Sequence, residues 1–170
     1  LGFLLSEFRK AGLVERVSMT DLDGTTDPDV WSFKADTLAH AAARAHFGCE
    51  DEAFPLPLMR HPAMGRDQHW PTRILRDDVM AYGVAKRVSA LTLGAIADLG
   101  YYAVDFNRSE CLHWGRGQGC AFVRTRCGTV AHDHGVPVAG PTECHGLPTW
   151  TRYADDHLDD KCGFGGNPCT

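Results

Sequence analysis

The sequence predicts a mainly helical, loop-rich chain over residues 1–127 that turns disulfide-rich over 128–170. Three observations carry this expectation. Two stretches, Asp36 to Phe47 and Ala90 to Leu99, have helix-forming composition bracketed by capping residues. Prolines and glycines gather between and after them. Seven cysteines crowd toward the C-terminus.

Taken in order, Leu4 to Arg16 mixes Leu5, Phe8 and Leu13 with charges, and reads either as a short helix or as an irregular connection. Thr20 to Pro28 is turn-rich, and its alternating acids resemble a calcium loop. An EF-hand would need a third oxygen ligand beside Asp21 and Asp23 and a distal Glu in register, so a plain loop is expected. Asp36 to Phe47 is alanine-rich, with Asp36 or Thr37 as N-cap and Gly48 placed to end the helix in a left-handed turn. Glu50 to Pro71 holds four prolines, a density that excludes regular helix and predicts an extended surface loop. A second helix begins at the cap Ser89, carries Leu91, Ala95, Ile96 and Leu99 on one face, and closes at Gly100. Tyr101 to Phe106 leads to the glycine-rich run Trp114 to Cys120. No apolar strand precedes those glycines and no Lys-Ser/Thr pair follows them, so they read as backbone turns around a disulfide rather than as a phosphate loop. After Cys127 the chain turns rich in Gly, Pro, His and Cys, which places a boundary there.

Composition excludes several classes of function. With 170 residues and 44% hydrophobic content the chain can build a real core. A net charge of −5 and a pI near 6.0, with basic residues scattered singly, argue against a nucleic-acid partner. No apolar run approaches the roughly 18–20 residues of a membrane span, and Leu1 to Leu5 lacks the features of a signal peptide. Cys49, Cys111, Cys120, Cys127, Cys144, Cys162 and Cys169 lack the paired Cys-x-x-Cys steps of a zinc ribbon, so disulfides formed in an oxidising compartment are the better reading. The odd number leaves one thiol without a partner within this chain. Asn107-Arg108-Ser109 is an N-glycosylation acceptor, which agrees with secretion.

One pair of residues invites a catalytic reading: His69, next to Trp70, and Met80, eleven residues further on in Asp77-Asp78-Val79-Met80-Ala81. His61 is the only nearby competitor, and His132-Asp133-His134 reads as solvated histidines with no third ligand in register.

Five segments, in this order, carry a resemblance: Ala45-His46-Phe47-Gly48-Cys49, His69-Trp70, Asp77 to Ala81, Ala90 to Tyr102, and Trp114-Gly115-Arg116-Gly117-Gln118-Gly119-Cys120-Ala121-Phe122. Together they resemble the leishmanolysin-type metallopeptidases over roughly residues 1–127, and only the cysteine-rich character agrees beyond that. Leu1-Gly2-Phe3 is similar to the end of a His-Glu-x-x-His-x-Leu-Gly-Phe helix, as though the chain began just after the second histidine. The resemblance implies a metzincin-like α+β fold, in which residues 1–127 form the central region and 128–170 the start of a cysteine-rich C-terminal region. It implies Zn2+ as cofactor and His69 as its third histidine ligand. In that role Gly2 lets the chain turn sharply out of the active-site helix. Met80 becomes the methionine of a Met-turn, an apolar floor that ligates nothing. Zinc held by three neutral imidazoles leaves a fourth position for water, with the helix glutamate as general base.

The implied activity is hydrolysis of peptide bonds in proteins, by a parent enzyme outside the cell or on its surface, with membrane association through a lipid anchor beyond these residues. The 170 residues alone are expected to be inactive, because His-Glu-x-x-His does not occur among them. Asp78-Val79 stands where the family has Glu-Leu, and Gln68 where it has Ser. A non-catalytic, disulfide-rich module for adhesion or decoy at the cell surface is the alternative reading.

Overall fold

The computed structural model describes residues 2–20, 26–60, 67–72, 74–81 and 87–124. The tail after 124, His61, and His132 to His134 therefore lie outside the described residues, as does the boundary expected at Cys127.

The element order is α1 (Leu5–Lys10), β1 (Val14–Thr20), β2 (Thr26–Phe33), α2 (Leu38–Phe47), β3 (Leu56–Pro57), β4 (Met59–Arg60), β5 (Asp67–His69), α3 (Ala90–Asp98), a 3₁₀ turn (Phe106–Arg108) and α4 (Cys120–Arg124). Strands β1, β2 and β3 form an antiparallel sheet in that order, and β4 pairs antiparallel with β5. The α+β class holds, but the expectation of a mainly helical chain is corrected. The sheet escaped sequence reading because Val14, Val17 and Met19 are spaced three and then two apart, breaking the alternation of a strand. The cause is a register shift between Val17 and Met19 against β2. Leu4 to Arg16 is neither wholly helix nor wholly connection: it holds α1 and the start of β1. The loop expected over Thr20 to Pro28 gives way to β2 from Thr26 onward.

Helix α2 is capped by the Thr37 side chain, which accepts from the His40 amide, and ends at Gly48 in the left-handed conformation (φ 67°). Helix α3 is capped in the same way by Ser89. The two helices pack closely at Gly94, where an added Cβ would lie 2.8 Å from the Ala39 backbone nitrogen. The Asp98 carboxylate of α3 accepts from the Leu38 and Ala39 amides (3.0 Å each), satisfying donors that open the first turn of α2.

Residues 50–60 and 67–71 correct a second expectation. The chain there is without helix, yet Phe54, Leu56, Leu58, Met59 and Trp70 are buried, so these residues form no surface loop. Prolines prevent helix but not burial: Ser32 of β2 receives the Leu56 amide on its hydroxyl (3.0 Å), and the Leu58 amide reaches the Trp31 carbonyl (2.8 Å). An aromatic cluster of Phe3, Phe8, Phe33 and Trp70, with ring centroids 4.8–5.3 Å apart, joins α1 and the sheet to the segment that carries His69.

The glycine-rich run behaves as the sequence predicts. Gly115, Gly117 and Gly119 all have positive φ, and Cys120 is disulfide-bonded to Cys49. The Gly117 and Gly119 amides donate to the His46 and Phe47 carbonyls (2.9 and 2.7 Å), which satisfies acceptors left open at the end of α2. Gly115 faces Phe122 and Phe47 so closely that a Cβ would sit 2.4 Å from one ring. Cys111 is also disulfide-bonded.

Candidate functional site

Asp78 to Ala81 form a tight turn. The Ala81 amide donates to the Asp78 carbonyl (3.1 Å), and the Asp78 carboxylate bends back to accept from the Met80 amide (2.6 Å). This is the local bonding that favours Asp at the first position of a turn. Flanking bonds hold the turn in place: Val79 donates to the Arg87 carbonyl (2.8 Å) and Arg87 to the Asp77 carbonyl (2.9 Å).

The Met80 carbonyl takes two donors, the Trp70 amide and the Nδ1 of His69, each at 3.0 Å. A carbonyl can only accept, so Nδ1 carries the proton and the lone pair of the neutral ring lies on Nε2. An imidazole in this tautomer ligates a metal through Nε2, with the carbonyl orienting the ring from the other side. The His69 side chain is half-buried, Trp70 is fully buried, and Met80 is half-buried against the core.

Beneath the turn, Asp78 is wholly buried. Its Oδ1 accepts from Thr92 Oγ1 (2.7 Å) as well as from Met80, and its Oδ2 accepts from Ser89 Oγ. Thr92 Oγ1 in turn accepts from the indole Nε1 of Trp70 (2.8 Å), and Ser89 Oγ accepts from the Thr92 amide (3.2 Å). Burial pushes the Asp78 carboxyl above its usual value, while the bonds from Ser89, Met80 and Thr92 pull it back.

Gly2 has φ +81°, the left-handed region that suits glycine at a sharp turn, and Phe3 lies edge-on to Trp70 at 5.1 Å. The structure thus brings His69 and Met80 together beside Trp70, whereas Gly2 faces Leu99 and Tyr101 and reaches Trp70 only through its neighbour Phe3. Sequence reasoning missed Asp78, and it saw Ser89 only as a cap. A signal was present in the Asp two residues before Met80, at the spacing of a side-chain-closed turn.

The other histidines have different surroundings. His46 is mostly buried with Nε2 2.8 Å from the Trp114 carbonyl; burial lowers its pKa, against the raising effects of that bond and of Asp77. His40 Nε2 lies 3.0 Å from the Phe54 carbonyl, beside a cavity of about 510 Å³ lined by Glu15, Met19, Ser32 and Arg124 that shares no residue with the Met80 turn. Among the described residues no three His, Cys, Asp or Glu side chains gather closely enough to hold a metal ion. The donor chemistry of His69 therefore fits one place in a ligand set and not a complete metal site.

The family model described as leishmanolysin, a peptidase family, matches residues 1–134. The chain belongs to the leishmanolysin family. It is 35% identical over 130 residues to a leishmanolysin homolog of Crithidia fasciculata, covering 75% of this chain and 19% of that protein. It is 34% identical over 128 residues to leishmanolysin of Leishmania chagasi, covering 75% of this chain and 21% of that protein. The ciliated left-right organizer metallopeptidase of Danio rerio is 33% identical over 87 residues, covering 48% of this chain and 14% of that protein. The chain spans about a fifth of the length of the leishmanolysins it matches.

Proposed function

We propose that this chain supplies one histidine ligand and the Met-turn of a zinc metalloendopeptidase that cleaves peptide bonds in proteins. The observation that carries the reading is the His69 ring bonded at Nδ1 to the Met80 carbonyl, which sets the neutral tautomer whose Nε2 is the one suited to ligate a metal. Gly2, in its left-handed turn, and Phe3, edge-on to Trp70, supply the approach from a helix bearing His-Glu-x-x-His, in a metzincin-like arrangement. Zinc, when bound, polarises the scissile carbonyl and lowers the pKa of water. This chain's part is to hold and orient His69, to seal the floor of the site with the Met80 turn, and to keep water out through the buried indole of Trp70.

Residues 1–127 act as the central region of the peptidase and 128–170 as the start of a cysteine-rich region. The Cys49–Cys120 disulfide supports placement outside the cell or at its surface, where such bonds persist. The 170 residues alone contain no His-Glu-x-x-His and are expected to cleave nothing.

The test joins this chain in frame behind the His-Glu-x-x-His segment of a family member and measures zinc content and cleavage of a denatured protein. Chelator-sensitive cleavage that disappears in His69→Ala is the expected result. Zinc content and cleavage that His69→Ala leaves untouched would remove His69 from the site. A joined protein that folds but binds no zinc would favour the adhesion or decoy reading.

A further inference from the structure

We propose that Asp78 is the positioning residue that sets the His69 ring for its metal, through a closed circuit of hydrogen bonds that also fixes Trp70. The proposal rests on the reading of His69 as a zinc ligand. The circuit runs from Asp78 Oδ1 to the Met80 amide (2.6 Å), across Met80 to its carbonyl, and from there to the Trp70 amide (3.0 Å). It continues through Trp70 to its indole Nε1, which donates to Thr92 Oγ1 (2.8 Å), and Thr92 closes it by donating to Asp78 Oδ1 (2.7 Å). His69 hangs on this ring by its Nδ1, bonded to the same Met80 carbonyl (3.0 Å).

Every donor and acceptor in the circuit has one consistent direction. Backbone and indole N–H groups can only donate, an ionised carboxylate only accepts, and Thr92 does one of each. A hydroxyl or amide in place of Asp78 would introduce a donor where the Met80 amide and two hydroxyls already point their hydrogens. Ser89 braces the carboxylate from the far side, and its own acceptor is used by the Thr92 amide. The first turn of α3 therefore presents a platform, and Asp78 links that platform to the carbonyl that accepts from His69 Nδ1. Trp70, adjacent in sequence to His69, is anchored by the same carboxylate through Thr92. Both backbone and side-chain restraints on His69 thus converge on a residue that touches neither the ring nor a metal.

The experiment reads the His69 ring in the 15N-labelled, metal-free chain by long-range proton–nitrogen NMR, with His69→Ala identifying its signals. The wild-type ring is expected in a single form, protonated at Nδ1. Asp78→Ala and Thr92→Val are expected to give a mixture of tautomers in proteins whose amide spectra remain those of a folded chain, and Thr92→Ser, which restores the hydroxyl, to return the single form. In the protein joined to a His-Glu-x-x-His segment, the same two variants should weaken zinc binding by about 10–100-fold, the usual effect of losing a group that orients a ligand. If Asp78→Ala does not fold, Thr92→Val decides the matter. A folded variant with an unchanged His69 tautomer and unchanged zinc affinity overturns the proposal. Zinc affinity indifferent to His69→Ala would instead fail the ligand reading. That outcome is recognisable because the His69 spectrum of the metal-free chain would still respond to Thr92→Val, and it overturns the assignment of Asp78 to a metal site as well.

Discussion

Two regions of this molecule solve the same problem, fixing a loop against a helix, by different chemistry. At the end of α2, the glycine-rich run is held by a disulfide from Cys120 to Cys49 and by backbone bonds from Gly117 and Gly119. At the start of α3, the Met80 turn is held by one buried carboxylate and two hydroxyls. The first device is covalent and indifferent to which nitrogen of a nearby ring carries a proton. The second is made of directional donors and acceptors, so it fixes orientation as well as position. Orientation is what the ligand role proposed for His69 needs, and the directional device lies beside that residue.

The largest effect expected separates the two regions. Replacing both Cys49 and Cys120 by Ala releases a loop spanning 71 residues and should cost about 4 kcal/mol of stability on the chain-entropy account. In chemical denaturation this appears as a lower midpoint, while the His69 tautomer stays that of the wild type. Asp78→Ala should cost less, about 3 kcal/mol, because it strands the Met80 amide and the Ser89 and Thr92 hydroxyls without their acceptor. It should nonetheless be the variant that changes the His69 spectrum. The reverse pattern, in which the disulfide variant disturbs His69 and Asp78→Ala does not, would dissolve the distinction.

A third variant tests the joint between the regions. Gly94→Ala pushes a methyl into the Ala39 backbone and separates α2 from α3, at an expected cost of about 1–3 kcal/mol. Amide exchange should then rise in both helices together; a rise confined to α3 would show that the regions stand independently.

The smallest effect concerns pH. Burial holds the His46 pKa below the 6.5 of an unperturbed histidine, so the unfolded chain binds that proton more readily than the folded one. The stability His46 contributes is complete above pH 6.5 and is lost as pH falls from there through the folded value. His46→Gln keeps a donor to the Trp114 carbonyl without titrating, and should flatten the loss of stability on acidification relative to wild type. Equal slopes for the two proteins would show that His46 is not a coupled group.

Local signals made the helices legible: Thr37 and Ser89 as caps, Gly48 and Gly100 as stops, and the glycines around Cys120 as turns about a disulfide. The sheet was hidden because a bulge in β1 disrupts the alternation that marks a strand, and because β3, β4 and β5 are only two or three residues long. Pro55, Pro57 and Pro71 signalled the lack of helix around them correctly and burial wrongly, since proline says nothing about which neighbouring side chains reach the core. His69 and Met80 were legible as a pair from their spacing within a family pattern. Asp78 was not, because its role depends on Thr92 and Ser89, fourteen and eleven residues away, meeting it across a turn.

The proposed function turns on His69 being a zinc ligand. X-ray absorption at the zinc edge of the joined protein counts the imidazoles around the metal directly. Three are expected, the usual number for a catalytic site of this kind, falling to two in His69→Ala. A count that does not change on that substitution would contradict it.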